Sequence, residues 1–100
     1  MGVILKRVKG GVYSDETTGQ KYLLRPVDRD YEGVKKKPIY FIDRLTDEGK
    51  VKYMSGLFPT KNENIYSYDI KDRFGIKIYM IARFKDDGAV IELERKKETA

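Results

Sequence analysis

The stretch that decides the fold is GIKIYMIARF, residues 75–84. Its apolar residues recur at every second position, as they do in a β-strand whose side chains alternate between two faces. The residues predicted to face inward are Ile76, Ile78, Met80, Ala82 and Phe84. Those predicted to face outward are Lys77, Tyr79, Ile81 and Arg83. This stretch therefore predicts a strand with one core face and one amphipathic face.

A second strand follows directly and completes a hairpin. The residues Lys85-Asp86-Asp87-Gly88 form a turn signal that ends in glycine. The segment 89–94 then alternates again, with Ala89, Ile91 and Leu93 predicted to point inward. The C-terminal part of the chain is thus predicted to be antiparallel.

The same pattern predicts further strands toward the N-terminus. Residues 38–45 and 50–58 form a hairpin around the turn 46–49, and the loss of alternation at Gly56 predicts a bulge or a sharp coil of the strand there. Residues 10–13 and 20–25 form another hairpin across the connection 14–19. A short strand over residues 3–8 precedes Gly10-Gly11, where the chain is expected to bend.

The segment 60–74 has two interpretations. Thr60 and Glu63 fit a capping box and Gly75 could end a helix, which favours a helix over residues 61–73. The run 65–70 instead alternates and is poor in helix formers, which favours a strand. We favour the strand.

These elements predict one small domain over residues 1–94, followed by a charged tail over residues 95–100. With a strand at 60–74, the fold is all-β, an antiparallel meander of six or seven strands that closes into an SH3-like barrel or roll, because open sheet edges invite aggregation. With a helix there, the fold is a β-rich α+β fold. Its order of elements over residues 20–94 then resembles that of the OB-fold.

The residue types that are missing exclude much enzymology. The 100 residues contain no Cys and no His, so disulfides, Cys/His zinc sites, thiol nucleophiles and imidazole bases are excluded. We therefore expect no enzyme, no catalytic residue, no metal and no cofactor. A Mg²⁺-dependent nuclease is a weaker alternative that would use Asp43 and Asp69, which lie within apolar strands. If Asp43 shares the face of Phe41 and Leu45, it is buried and needs an Arg partner.

The sequence gives general indications of cellular location and source. The N-terminal apolar run is too short for a secretory signal, and no stretch approaches the roughly 20 apolar residues of a membrane span. We therefore expect an intracellular, cytoplasmic protein. The chain has only three Asn and Gln side chains, and scarcity of these thermolabile residues is typical of thermophile proteins. A short basic chain without catalytic residues also fits an accessory or inhibitory factor of a virus or plasmid.

Charge and aromatic content predict the function. The chain has 21 Lys and Arg against 16 Asp and Glu, a net charge of +5, and its basic residues lie among tyrosines. Nucleic-acid binding needs this pairing, because cations neutralise phosphates and aromatic faces stack on unpaired bases. We expect single-stranded DNA or RNA as the partner. The predicted phosphate contacts are Lys35, Lys36, Lys37, Lys52, Lys77 and Arg83, and the predicted stacking residues are Tyr40, Tyr53, Tyr66, Tyr68 and Tyr79.

The alternative is a protein-docking module on a larger assembly. Tyr is an ordinary strand residue, exposed Lys protects strand edges, and a lysine triplet in a loop such as 26–37 is typical of a solvated surface. A docking surface would use exposed Tyr, Met and Arg. A strand edge at residues 3–8 or 89–94 is also a candidate for pairing two copies into a homodimer.

Overall fold

The computed structural model describes residues 2–27 and 37–96, which form a closed antiparallel barrel of eight strands. Each strand pairs with its neighbour in sequence, and β1 pairs with β8 to close the barrel. The all-β barrel predicted from the sequence is confirmed, with eight strands rather than six or seven. The strands are β1 Val3–Lys9, β2 Val12–Asp15, β3 Lys21–Pro26, β4 Tyr40–Leu45, β5 Val51–Pro59, β6 Ile65–Lys71, β7 Lys77–Lys85 and β8 Val90–Arg95.

The core fills the inside of the barrel with alternate side chains from most of the strands. Its fully buried members are Leu5, Tyr13, Ile42, Leu57, Tyr68, Ala82, Ile91 and Leu93. The inward and outward sets predicted for β7 and β8 are confirmed for Met80 to Phe84 and for Ile91 and Leu93. Ile76 is the exception, because it lies in the turn before β7 and is 62% exposed.

Residues 65–71 form the strand β6, so the helix and the OB-like order are wrong. β6 pairs with β7 in an unbroken register from Ile65 opposite Arg83 to Lys71 opposite Lys77. Thr60 organises a turn instead of capping a helix: its hydroxyl accepts from the Asn62 N–H at 3.1 Å and donates to the Ile65 carbonyl at 2.8 Å. Tyr68 is buried in the core and Tyr66 packs against it, and this burial on alternate positions stabilises the strand over a helix.

The bulge in β5 lies at Met54, two residues before the predicted position. Ile42 faces Ser55 and Asp43 faces Tyr53, so Met54 is the extra residue. Gly56 stays in register opposite Phe41 and lacks a side chain for a different reason. A Cβ on Gly56 would lie 3.0 Å from the Cβ of Pro38, which packs against this strand.

The seam between β5 and β6 is narrow. Only Phe58 opposite Ser67 and Pro59 opposite Tyr66 are in register there, among the residues that the structure describes. By contrast, β4 and β5 match over most of their lengths. The barrel wall is therefore least continuous beside the second half of β6.

The barrel has two ends, which we call lower and upper. The lower end carries the turns at residues 16–20, 46–50 and 72–76. The upper end carries the turns at 10–11, 60–64 and 86–89, together with Pro26 and Tyr40, which end β3 and begin β4. The predicted turns at 46–49 and 85–88 are confirmed.

Asp43 is buried and paired, as its position among apolar residues predicts. It is fully shielded from solvent on the outer face of β4, and both of its carboxylate oxygens accept from Arg25 on β3. The Arg25 Nη2 lies 3.1 Å from Oδ1, and the guanidinium also lies 5.2 Å from the centre of the Phe41 ring. This salt bridge supplies the Arg partner that a buried carboxylate needs.

The strand edges predicted to pair two copies are used inside the molecule. β1 and β8 hydrogen-bond to each other from Val3 opposite Leu93 to Lys6 opposite Val90. Neither edge is therefore open within one molecule, and a homodimer stays a prediction from the sequence. Of the predicted tail, Arg95 belongs to β8 and the Lys96 N–H donates to the Tyr79 carbonyl at 2.8 Å. Residues 97–100, and residues 28–36 of the predicted loop, lie outside the described residues. No helix within the described ranges is long and apolar enough to span a membrane.

Gly11, in the turn between β1 and β2, packs closely against the backbone of β3. The Leu24 N–H donates to the Gly11 carbonyl at 2.8 Å, and a Cβ on Gly11 would lie only 2.5 Å from the Leu24 carbonyl oxygen. We expect Gly11→Ala to lower the free energy of unfolding by about 2–3 kcal/mol, the upper part of the usual cost of overpacking, because the backbone of β3 must move. Urea unfolding followed by circular dichroism measures this change.

The matched control for this clash is Gly10→Ala. Gly10 has a φ of +51° but open space around it, so alanine costs only the left-handed conformation, about 1 kcal/mol. A Gly11→Ala variant as stable as the Gly10→Ala variant would contradict the steric argument.

Tyr68 makes the barrel sensitive to alkali. Burial raises the pKa of its phenol far above the ordinary value of 10.0. The unfolded chain ionises first, so this contribution to stability is complete below about pH 10 and is lost above it, by up to about 1.4 kcal/mol per pH unit. We expect Tyr68→Phe to flatten the fall in unfolding free energy between about pH 9 and 11.

Urea unfolding at a series of pH values tests this, with the exposed Tyr79→Phe as the control for loss of a hydroxyl. Parallel pH profiles for the parent chain and Tyr68→Phe would show that Tyr68 does not contribute.

Candidate nucleic-acid interface

The residues predicted to bind nucleic acid do not share one face of the barrel. Lys35 and Lys36 lie outside the described residues, and Lys37 is exposed just ahead of β4 at the upper end. Tyr40 and Tyr66 are half-buried inside the upper mouth, where their rings pack edge to face with centroids 5.6 Å apart. The predicted set is therefore dispersed.

Tyr68 requires a correction. It is 4% exposed and belongs to the core, so a base cannot stack on the face of its ring, although the residue lines the groove described below. The period-two pattern placed it correctly on a strand but does not distinguish the inner from the outer face of a closed sheet.

Two further predicted residues are engaged with neighbours. Arg83 lies on the outer face of β7 and forms an ion pair with Glu94 on β8, which offsets its charge. Tyr53 is exposed on β5, with its ring centroid 5.9 Å from that of Phe41.

Lys77 and Tyr79 do belong to a coherent surface, which we call the hairpin patch. It consists of basic and aromatic side chains that the β6–β7 hairpin presents at the lower end. Its members are Lys71, Arg73, Phe74, Lys77 and Tyr79. Phe74 is 76% exposed and Tyr79 is 59% exposed, so two aromatic rings lie in solvent among three cations.

The turn that carries Phe74 is well ordered by hydrogen bonds. The Asp72 carboxylate accepts from the N–H groups of Phe74 at 2.8 Å and Ile76 at 3.0 Å. The Gly75 N–H donates to the Asp72 carbonyl at 3.0 Å, and Gly75 has a φ of +79°, which closes the hairpin. Phe74 is thus presented outward by a defined turn, and the Arg73 guanidinium lies 5.4 Å from its ring centre.

Lys71 and Lys77 face each other directly across the two strands. Both are exposed, and neither has a carboxylate within ion-pair distance among the described residues. Like charges directly opposite each other destabilise a sheet, so this pair costs stability in the free protein. Lys52, another predicted residue, faces Arg44 in the same way, also toward the lower end.

A surface groove of about 430 Å³ adjoins the patch and shares Tyr79 with it. Phe58 lies on the other side of the groove, Ser67 and Asp69 supply polar groups, and Lys96 adds a further cation. Asp69 stands directly opposite Tyr79 in the β6–β7 register. Tyr68, which is almost fully buried, also lines the groove, so the groove combines three aromatic side chains with hydrogen-bonding groups.

Sequence reasoning missed Lys71, Arg73, Phe74, Phe58 and Lys96. The available signal was Asp72-Arg73-Phe74-Gly75, since Asp at the first and Gly at the fourth position are typical of a type I turn. Recognising that turn would have fixed the register, and hence the opposition of Lys71 and Lys77. Phe58 and Lys96 meet Tyr79 only through the barrel topology, which local patterns do not reveal.

No family model, curated protein or solved structure shows a significant match to this chain. The residues that the structure describes also hold no group of three or more Asp or Glu side chains placed to bind a metal ion. The hairpin patch and its groove therefore carry the functional conclusion through their geometry and side-chain chemistry.

The facing lysines generate a stability prediction. We expect Lys71→Glu to raise the free energy of unfolding by about 0.5 kcal/mol at low salt, because a repulsive cross-strand pair becomes attractive. The gain should shrink at about 1 M salt, where charges are screened within a few ångströms. Urea unfolding at both salt concentrations measures it.

Lys21→Glu changes the net charge equally but faces Leu45 and Ser14, so it is the matched control. An equal gain in both variants would attribute the effect to net charge and not to the facing pair.

Proposed function

We propose that the protein binds single-stranded nucleic acid through the hairpin patch and the adjoining groove. The observation that carries this proposal is the pair of facing, unneutralised lysines beside a strongly exposed Phe74. Such a pair costs stability unless an anion lies between the two side chains. An exposed aromatic ring next to it suits a polyanion that also carries planar bases.

The phosphate contacts would come from Lys71, Lys77 and Arg73. The two lysines project from adjacent strands on the outer face, and Arg73 lies in the turn between them. Neutralised phosphates release counterions, which gives favourable but salt-dependent binding. This contribution to the binding free energy does not depend on base sequence.

The base contacts would come from Phe74, Tyr79 and Phe58. Stacking of a base on an exposed ring contributes about 1–3 kcal/mol and requires an unpaired base, which favours a single strand over a duplex. In the groove, the Asp69 carboxylate is an acceptor suited to the exocyclic amino group of cytosine or adenine. Its negative charge also predicts that phosphates lie outside the groove, toward the lysines.

A protein-docking module is the second candidate. Phe74 and Ile76 are both exposed at the same hairpin tip, and apolar side chains presented together can anchor a protein interface.

A cytoplasmic location and a thermophilic, viral or plasmid source stay predictions from the sequence under either function.

Fluorescence anisotropy with labelled single-stranded DNA, single-stranded RNA and duplex tests the proposal. With three phosphate contacts, we expect single-strand affinity to fall roughly 20-fold between about 50 and 200 mM salt. Lys71→Gln with Lys77→Gln should reduce the slope of log affinity against log salt by about 1.4. Phe74→Ala should weaken binding about tenfold at constant salt slope, because it removes stacking and no charge.

Two controls separate the candidates. Lys9→Gln with Lys61→Gln removes the same charge from exposed positions at the upper end and should leave the salt slope nearly unchanged. Ile76→Ala removes an apolar side chain that cannot stack, and should leave single-strand affinity unchanged. Absence of binding to all three oligomers at low salt would refute the proposal, and the docking module would become the working hypothesis.

A further inference from the structure

The upper mouth of the barrel contains a second cavity, of about 370 Å³, far from the hairpin patch. Its apolar wall is formed by Tyr40, Tyr66 and Phe84, which pack together with centroid distances of 4.9–5.6 Å. All three rings lie against the buried core yet stay partly open to solvent. A concave aromatic surface of this size falls in the range of small-molecule sites, and eight-stranded barrels have interiors that can hold one small ligand.

Polar groups converge on the same cavity. Arg7 and Asn64 line it. The hydroxyls of Tyr40 and Tyr66 lie on the same cavity and make no hydrogen bond to any described residue. Burial raises the pKa of Tyr66, with the Tyr40 hydroxyl and Glu63 adding to the effect. A phenol is in any case protonated at neutral pH and can donate a hydrogen bond. The mouth therefore offers donors above an aromatic floor.

Arg7 is held in place without being neutralised. Its Nη2 donates to the Tyr13 hydroxyl at 3.2 Å, and that hydroxyl donates to the Gly88 carbonyl at 2.5 Å. The guanidinium lies 5.7 Å from the Tyr13 ring centre. Among the described residues it has no carboxylate partner, and a guanidinium carries five N–H donors, so most of them are available to a ligand.

The rim of the mouth is fixed by unusual backbone. Asp86, Asp87 and Gly88 all have positive φ, and Asn64 has a φ of 65°. The Phe84 N–H donates to the Asn64 carbonyl at 2.8 Å, which ties the β5–β6 turn to β7. The groups that line the mouth are therefore preorganised.

We infer that this mouth binds a small planar aromatic compound that carries one carboxylate. The ring lies against Tyr40, Tyr66 and Phe84, and the carboxylate accepts from Arg7. Asp87 also lines the cavity, so a second acidic group on the ligand would meet a negative charge, which selects a monoanion. This inference does not depend on nucleic-acid binding at the other end of the barrel.

A matched pair of ligands tests it: 2-naphthoate and the neutral 2-naphthylmethanol, titrated by calorimetry and by amide chemical shifts. We expect naphthoate to bind about tenfold more tightly, because only it accepts charge-assisted hydrogen bonds. Arg7→Gln should remove this difference and leave naphthylmethanol affinity within about twofold. The shift changes should cluster at residues 64, 66 and 84–88.

Lys21→Gln, which removes one charge at the lower end, should preserve the tenfold preference. Arg7 is exposed, so its replacement does not threaten the core, and an unchanged circular dichroism spectrum and urea midpoint would show that the variant is folded. No binding of either compound at 1 mM, equal affinities in the parent chain, or shift changes centred away from the upper mouth would each overturn the inference.

Discussion

The pairing of β1 with β8 is the constraint on which the rest of the structure depends. These two strands lie at opposite ends of the described chain, and their hydrogen bonds turn an open meander into a closed wall. Leu5 of β1 and Ile91 of β8 face each other in register, and both are completely buried. Without this closure the core would have two exposed edges, and the barrel would have no mouth at either end.

Closure also separates the chemistry of the two ends. Residues at the lower end bring cations into opposition, Lys71 with Lys77 and Lys52 with Arg44. The upper end collects aromatic rings inside the mouth. An antiparallel meander places every second turn at the same end, so residues distant in sequence meet at each end. The two candidate sites are therefore products of topology more than of any local motif.

The sequence predicted well where one face of a strand meets the core. Alternation placed β7, β8 and β6 and identified Asp43 as a buried carboxylate in need of an Arg partner, because each of these follows from local periodicity and the cost of burying charge. It failed where the answer depends on pairing between strands. The β5 bulge falls at Met54 because the β4 register demands it, and Tyr68 is buried because the sheet closes over it. The lysine opposition at the hairpin patch likewise depends on a turn length that periodicity does not encode.

The narrow seam between β5 and β6 has a dynamic consequence. Two residue pairs in register hold this part of the wall, whereas seven join β6 to β7. Local opening of a protein follows its least cooperative contacts, so slow breathing of the barrel should begin here and not at the closure between β1 and β8. The groove beside Tyr79 includes residues from both sides of this seam. A ligand that contacts both β5 and β6 there would stabilise the closed wall by its own binding free energy.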